Sequence, residues 1–212
     1  MGVDPGTHAT AIAVLAVSGG VVHEIRWVLV RAKTVDEMIS RIANVNSEAI
    51  AHRCPILGMV EGQYFNKALK RNPDDILRVA LVAGAAACRL STLCPVQVIK
   101  PQDWKGSIPK RVSQKRIAEG LGIDGSLSSR NTKSDSYWVP KMPQFRLAEP
   151  VIIQASHRPL KVGDWSHLMD AVGLARHAYQ QSSPGRCDHF VAPTKPPVVS
   201  PSLHWCPTVS QP

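Results

Sequence analysis

Three carboxylates stand at the edges of apolar segments that are predicted to be buried. Asp4 lies at the start of the first apolar strand, Glu61 ends a later one, and Asp170 lies within an apolar helical segment. Such segments seldom hold a charge unless it is paired or binds a metal. Taken alone, each acid also fits an ordinary backbone contact, as where Asp4 would cap the turn at Gly6-Thr7. Their joint occurrence favours a single cluster.

A cluster of this type suits a hard divalent cation. Magnesium prefers oxygen ligands and keeps several waters, so carboxylates from separate elements suit it. Two such ions about 3.5–4 Å apart can activate a water and stabilise the leaving oxygen of a phosphodiester. His167 precedes Asp170 by three residues on the same helix face, as a further ligand or as the group that polarises the water. We therefore predict a Mg²⁺ site, with Mn²⁺ as a substitute, whose catalytic and metal-binding residues are Asp4, Glu61, His167 and Asp170.

The balance of charge favours a polyanionic partner. Lysine and arginine number 25 against 16 aspartates and glutamates, a formal net charge of +9. Each phosphate that such a surface neutralises releases counterions, although a generically basic protein would have the same composition.

The odd, scattered set of five cysteines is typical of a reducing compartment. We expect a cytoplasmic protein of a bacterium or a phage-infected cell, without a membrane span or a targeting peptide.

Aromatic and basic residues accompany the predicted site. Tyr64 and Phe65, just beyond Glu61, could stack on unpaired bases, unless one of them belongs to the core. Basic residues then occupy a polar loop and surround a helix start, where free N–H groups also favour phosphate. Each alone is more often a solvated surface group. As a cluster beside the site, we expect phosphate contacts from Lys67, Lys70, Arg71, Lys105, Lys110, Arg111 and Lys115.

The elements that must position these residues alternate between strands and helices. A hairpin of two strands within residues 2–30 comes first. Helices are predicted from Thr34, where Glu37 completes a capping box, to residues 52–53, and from Asn72-Pro73 to about Leu90. Strands over residues 56–60 and 95–99 and helices over residues 110–121 and 166–179 complete the order. This order predicts an α/β fold with a central mixed β-sheet flanked by α-helices.

Two segments stand apart from this pattern. Residues 123–163 are rich in Ser, Asn and Gly and then in Pro, with one strand-like run over residues 151–153. We interpret them as an irregular insertion within a domain that spans residues 1–181. Residues 182–212 are Pro-rich and without periodicity, and a disordered tail is predicted there.

Three short motifs resemble those of RuvC-like Holliday junction resolvases, which have the RNase H-like fold. Asp4-Pro5-Gly6-Thr7 is similar to the first motif of that family. Glu61 at a strand end, followed by Tyr64 and Phe65, is similar to the second. His167-Leu168-Met169-Asp170-Ala171 is similar to the last, and the order of elements agrees over residues 1 to about 180.

The resemblance implies an RNase H-like nuclease domain over residues 1–181. It further implies a homodimeric, magnesium-dependent endonuclease that nicks paired strands of a four-way DNA junction. Asp4, Glu61, His167 and Asp170 are the matching positions for metal binding and catalysis. Two departures bear on substrate preference: the first motif more often has Arg and Gly at the positions of His8 and Ala11, and residues 123–163 exceed what a compact member needs.

Three alternatives stay open at this stage. The same fold could cut other branched DNA, such as flaps and bubbles, or RNA–DNA hybrids. The chain could also be a junction-binding module without catalysis. An actin-like phosphotransferase is suggested by Asp4-x-Gly6-Thr7, but such enzymes need two related domains and a second phosphate loop, for which this chain is too short.

Overall fold

The computed structural model describes residues 1–18, 21–45, 57–63, 72–121, 125–129, 136–140 and 162–182. The strands are β1 (Gly2–Asp4), β2 (Ala9–Ser18), β3 (Val21–Arg31), β4 (Gly58–Glu61), β5 (Val96–Ile99), β6 (Gly125–Ser129) and β7 (Ser136–Pro140). The helices are α1 (Val35–Ala43), α2 (Pro73–Ser91), α3 (Pro101–Lys105), α4 (Lys110–Gly120) and α5 (Val162–Ser182). None of the helices in these ranges is long and apolar enough to cross a membrane.

Five strands form a mixed sheet in the order β3-β2-β1-β4-β5. The β1–β2 and β2–β3 pairs are antiparallel, whereas β1–β4 and β4–β5 are parallel. The Pro5-Gly6 segment reverses the chain between β1 and β2. Thr10 closes this turn, because its hydroxyl accepts from the Gly6 N–H at 3.2 Å and donates to the Gly6 carbonyl at 3.0 Å. The predicted α/β fold with a central mixed sheet is confirmed.

Helices cover both faces of the sheet, and each face has its own core. On one face, α1 and α2 pack over side chains of β1–β4 such as Val3, Ile12 and Val60. On the other face, α4 and α5 pack over Ala11, Leu29 and neighbouring residues. The result is a three-layer arrangement with the sheet in the middle.

Helix α5 and strand β1 are in unusually close contact. A Cβ on Gly2 would lie 2.1 Å from the Ala171 carbonyl oxygen and 2.3 Å from the Ala175 nitrogen. Only glycine therefore fits at this point of the strand without moving the helix backbone. Asp164, in the first turn of α5, pairs with Arg31 at the end of β3 and ties the start of the helix to the sheet.

The two capped helices begin as predicted. The Thr34 side chain accepts from the Glu37 N–H at 3.2 Å, while the Glu37 carboxylate accepts from the Lys33 N–H at 2.6 Å. Helix α1 ends at Ala43, well before the predicted end, and residues 46–56 lie outside the described ranges. In α2, Asn72 accepts from the Asp74 N–H at 3.1 Å.

The structure differs from the sequence prediction in further places. The first predicted strand is two antiparallel strands, β1 and β2, so that Asp4 ends a strand rather than starting one. Helix α5 begins at Val162, four residues before Ser166, because Ser166 is buried and accepts a hydrogen bond from Gln114 instead of capping the helix. Strands β6 and β7 form an antiparallel hairpin inside the segment that was predicted to be irregular. The short helix α3 was not predicted at all. The strand-like run over residues 151–153 and the predicted tail lie outside the described ranges.

Candidate active site

Asp4 and Glu61 lie side by side at one edge of the sheet. They end the neighbouring parallel strands β1 and β4, where Val3 pairs with Val60 and the next position on each strand is the acid. Each of the two acids is 6% exposed. Because residues two apart on a strand share a face, Asp4 lies on the same side of the sheet as Gly2, which is the side that α5 covers.

Helix α5 brings the other two predicted residues to this edge. His167 Nδ1 lies 2.5 Å from Asp4 Oδ2, a contact between residues 163 positions apart. Asp170, one turn further along the helix, is 1% exposed. The structure thus brings together all four residues that were predicted from the sequence.

Two lysines that were predicted to bind phosphate lie among these carboxylates. Lys105 Nζ lies 3.2 Å from Glu61 Oε2 and 3.8 Å from Asp170 Oδ2. Lys110 Nζ lies 2.7 Å from Asp170 Oδ2. A buried carboxylate needs such a partner, since an unpaired charge in the interior is costly. In this arrangement the two ammonium groups balance the charges of Glu61 and Asp170.

Two neutral donors that sequence reasoning missed complete the cluster. Gln114 is fully buried in α4, and its amide donates to Asp170 Oδ1 at 3.1 Å and to the Ser166 carbonyl at 3.1 Å. The indole N–H of Trp104 donates to Glu61 Oε2 at 3.0 Å. A glutamine on the apolar stripe of a basic helix is the signal that could have revealed the first; for Trp104 there is no comparable pattern.

The acids of the cluster differ in proton affinity. Burial would raise the pKa of Asp4, but its hydrogen bond with His167 lowers it below the usual value. Burial raises the pKa of Glu61, and the charge of Asp4 adds to the effect. Burial would lower the pKa of His167, but Asp4 raises it above its ordinary value. Burial also opposes the charge of Lys110, yet Asp170 raises its pKa to about 12. The cluster therefore contains an ionised Asp4 beside a carboxyl, Glu61, that keeps its proton to higher pH than usual.

The donor atoms fit a hard cation, but the described residues do not hold them as a ready metal site. Among these residues no group of three or more His, Cys, Asp or Glu is arranged to bind a metal ion. The reason is visible in the contacts: His167 is bonded to Asp4, and lysine ammonium groups lie against Glu61 and Asp170. The oxygen chemistry of three neighbouring carboxylates suits Mg²⁺. Its binding would exchange lysine contacts for contacts with the ion.

The remaining predicted contacts to nucleic acid are only partly described. Arg111 and Lys115 are exposed on α4, and Lys115 Nζ lies 3.5 Å from Glu119 Oε1. The other predicted positions lie outside the described ranges, namely Tyr64, Phe65, Lys67, Lys70 and Arg71.

Comparison with known proteins identifies the fold. No protein-family profile and no curated protein matches the sequence. Among solved structures, RuvC of T. thermophilus in complex with a Holliday junction substrate is similar, with 20% identity and a TM-score of 0.50 over 85% of this chain and 92% of that chain. A second Thermus thermophilus RuvC structure has 21% identity and a TM-score of 0.49, over 85% of this chain and 93% of that chain. This polypeptide has the RNase H-like fold of the RuvC-like resolvases.

Proposed function

We propose that the protein is a divalent-metal-dependent endonuclease that resolves four-way DNA junctions by paired nicks. The observation that supports this most strongly is the convergence of Asp4, Glu61, His167 and Asp170 at one edge of the sheet. They come from three elements that are far apart in the chain, so a purely structural reason for four ionisable groups at one point is hard to find. The solved relative with the same fold was captured with a Holliday junction substrate.

In this proposal, each residue of the cluster has a defined task. Asp4, Glu61 and Asp170 would hold Mg²⁺ or Mn²⁺, which when bound supplies a nucleophilic water at neutral pH and stabilises developing negative charge. His167, hydrogen-bonded to Asp4, would orient that carboxylate and hold a proton near the reacting phosphate. Lys105 and Lys110, once their carboxylates are engaged elsewhere, are free to pair with the phosphate of the strand.

The charge of the protein supports a DNA substrate. The chain carries a formal net charge of +9, and Arg111 and Lys115 extend the basic surface of α4 beyond the cluster. Phosphate neutralisation by such groups drives DNA binding through counterion release. We propose a homodimer, because two copies of one site are the simplest way to make paired nicks in a two-fold symmetric junction. The cytoplasmic location stays a prediction.

The direct test is cleavage of a synthetic four-way junction with and without Mg²⁺. The wild type is expected to nick two opposing strands, and chelation to stop it. Asp170→Asn keeps the shape of the side chain but removes its charge, and cleavage should fall by more than about 100-fold, since even partners of metal ligands are worth 10–100-fold. Asp75→Asn is the matched control, because Asp75 is exposed on α2 at the other face of the sheet. Absence of Mg²⁺-dependent nicking, or full activity of Asp170→Asn, would refute the proposal.

A junction-binding module without catalysis is the second candidate. The observation that favours it is the pair of ammonium groups already placed against Glu61 and Asp170, which satisfies these carboxylates without a metal. Calorimetry with Mg²⁺ and with the junction separates the two. Junction binding together with no measurable metal binding would support the module.

The choice of substrate among branched nucleic acids has its own test. Flaps, bubbles and RNA–DNA hybrids are the alternatives for the same cluster, and His8, where the family more often has Arg, is exposed in the segment between β1 and β2. A panel of these substrates at equal concentration decides the matter. Preference for the four-way junction by kcat/KM is the expected result, and equal rates on a simple flap would contradict it.

A further inference from the structure

A cavity of about 170 Å³ lies next to the carboxylate cluster, between α3, α4 and α5. Its wall on one side is formed by Trp104 and Lys105, which also contact Glu61. The cavity is therefore separated from the candidate active site by two side chains. None of the residues assigned to catalysis above, other than Lys105, lines it.

The floor of this cavity is apolar. Gly173 of α5 lies beneath Trp104 and Ile117, and a Cβ there would be 2.6 Å from Trp104 Cζ3 and 2.6 Å from Ile117 Cδ1. The missing side chain lets both residues pack on the helix backbone, and together they form an apolar surface. Ile108, which is 36% exposed, extends this surface outward. Such a floor favours an apolar or aromatic group over a hydrated ion.

The rim of the cavity is cationic. Arg116 reaches it from the exposed side of α4 and Arg176 reaches it from α5, whereas burial lowers the pKa of His177 and favours its neutral form. Among the described residues that line the cavity, none carries a negative charge. A ligand that matches both floor and rim has an apolar part and a negative charge.

We propose that this cavity binds one nucleotide of the DNA strand that is cut, with its base or sugar on the apolar floor and its phosphate at Arg116 and Arg176. The size of the cavity supports a single unit, since sites for drug-sized ligands have volumes of about 300 Å³ or more. Its position supports a strand over a free ligand, because Trp104 and Lys105 link it directly to Glu61. The inference rests on the proposed nuclease function and adds a positioning site beside the reacting phosphate.

The test measures binding of short oligonucleotides in EDTA, where no cleavage occurs. Labelled pentathymidylate and the same backbone without bases are titrated with wild type, Arg116→Gln and Ile108→Ser. Both substituted residues are at least partly exposed, so the variants should fold. Arg78→Gln is the control, because Arg78 is an exposed arginine on α2 at the opposite face of the sheet.

Arg116→Gln should weaken pentathymidylate binding by about 3-fold or more and make its salt dependence shallower by about one phosphate contact. Removal of the bases should weaken binding to wild type by about 5-fold or more, as expected for loss of an apolar base contact. Ile108→Ser should weaken binding of pentathymidylate but not of the abasic chain. Arg78→Gln should bind both like wild type.

Three results would overturn the inference. The first is wild-type affinity of Arg116→Gln for pentathymidylate. The second is equal affinity of the wild type for the normal and the abasic chain. The third is equally strong competition by thymidine monophosphate, which would assign the cavity to a free nucleotide, or by polyglutamate, which would show only a basic surface.

The outcome is separable from that of the proposed function. A wild type that cuts junctions while Arg116→Gln binds and cuts like it would leave the nuclease proposal standing and refute the cavity. If the wild type never cuts junctions but Arg116→Gln binds the oligonucleotide more weakly than the wild type, the nuclease proposal is refuted and the nucleotide site stands.

Discussion

The two faces of the central sheet are built from different kinds of residues. Under α1 and α2, the buried side chains of the described core are apolar, from Val3 and Ile12 to Met38 and Leu90, with Thr10 of β2 as the exception. On the other face, apolar side chains share the interior with charged and polar ones. Of the eight buried polar or charged residues in the described part of the chain, seven belong to β1, β4, α4 and α5, and the eighth, Thr10, closes the turn after β1.

The two faces differ in what they contribute to folding: one adds stability, and the other holds the ionisable groups. A fully buried aliphatic side chain contributes about 1.5–3 kcal/mol, and on the α1–α2 face few buried polar groups reduce this gain. On the α5 face, each buried carboxylate costs free energy unless its partners compensate for it. Lys110, Lys105, Gln114 and Trp104 supply those partners. The apolar α1–α2 face therefore stabilises the fold in which the α5 face holds its buried charges.

The largest effect on stability is expected at the contact between β1 and α5. Gly2→Ala would place a Cβ 2.1 Å from backbone of α5, which cannot yield as a side chain can. Because overpacking of a core commonly costs 1–3 kcal/mol, a backbone clash should cost more than about 3 kcal/mol, measured by urea unfolding. Gly84→Ala is the contrast, since nothing lies within 4 Å of a Cβ there. It should gain up to about 1 kcal/mol from helix propensity. Equal effects of the two changes would contradict this account of the helix contact.

The apolar face should affect stability alone. Met38 is fully buried against the sheet, and Met38→Ala should lower the free energy of unfolding by about 2–5 kcal/mol. Well below the unfolding temperature, the rate of the proposed junction cleavage should stay within about twofold of wild type, because Met38 packs on the face of the sheet opposite the cluster. A loss of kcat larger than the loss of folded protein would show that the two faces are coupled.

Gln114 should affect stability and activity together. Gln114→Ala leaves Asp170 Oδ1 and the Ser166 carbonyl without this donor, at a cost of about 1–3 kcal/mol in unfolding free energy. If Asp170 holds a metal ion as proposed, cleavage should fall by about 10–100-fold, as for residues that orient metal ligands. The reference is Gln97→Ala, since Gln97 is exposed on β5. Gln114→Ala with unchanged Mg²⁺ affinity by calorimetry would show that Asp170 needs no orientation.

The smallest effect concerns pH. Burial lowers the pKa of His167 but its contact with Asp4 raises it more, so the folded protein binds this proton more tightly than the unfolded chain. The stabilisation is full below the unfolded pKa of about 6.5 and is lost as pH rises through the higher folded pKa. In EDTA, the stability difference between wild type and His167→Gln should therefore be larger at pH 6 than at pH 9. His8→Gln, at an exposed histidine, is the control. A difference that grows with pH would have the wrong sign for this explanation.

Much of the fold and the positions of the four clustered residues could be predicted from local patterns. Asp4 and Glu61 interrupt apolar runs at strand ends, and His167 and Asp170 share a helix face, so sequence spacing carries the information. The capped starts at Thr34 and Asn72 are equally local. The partners of the carboxylates are not. Gln114 meets Asp170 across 56 positions and Trp104 meets Glu61 across 43, and such contacts depend on tertiary packing.

Two lysines and one pair of strands show the same limit of prediction from local sequence patterns. A lysine beside a predicted phosphate site reads as a phosphate ligand, and only the structure shows that Lys105 and Lys110 neutralise carboxylates. Strand β6 has the sequence Gly-Ser-Leu-Ser-Ser, which has little β propensity. It is a strand because it pairs with β7, and pairing leaves no mark on the periodicity of one segment.

Because of the contact between His167 and Asp4, the cluster can form only after most of the described chain has been synthesised. The contact joins residues 163 positions apart, near opposite ends of the described chain. A polypeptide emerging from the ribosome presents β1 first and α5 last, and domains fold as their elements become available. Until Asp170 has been synthesised and α5 has docked on Gly2, the carboxylate cluster does not exist. If the cluster cuts DNA as proposed, nascent and prematurely terminated chains are harmless to the genome, and the order of the elements acts as a safeguard that needs no inhibitor.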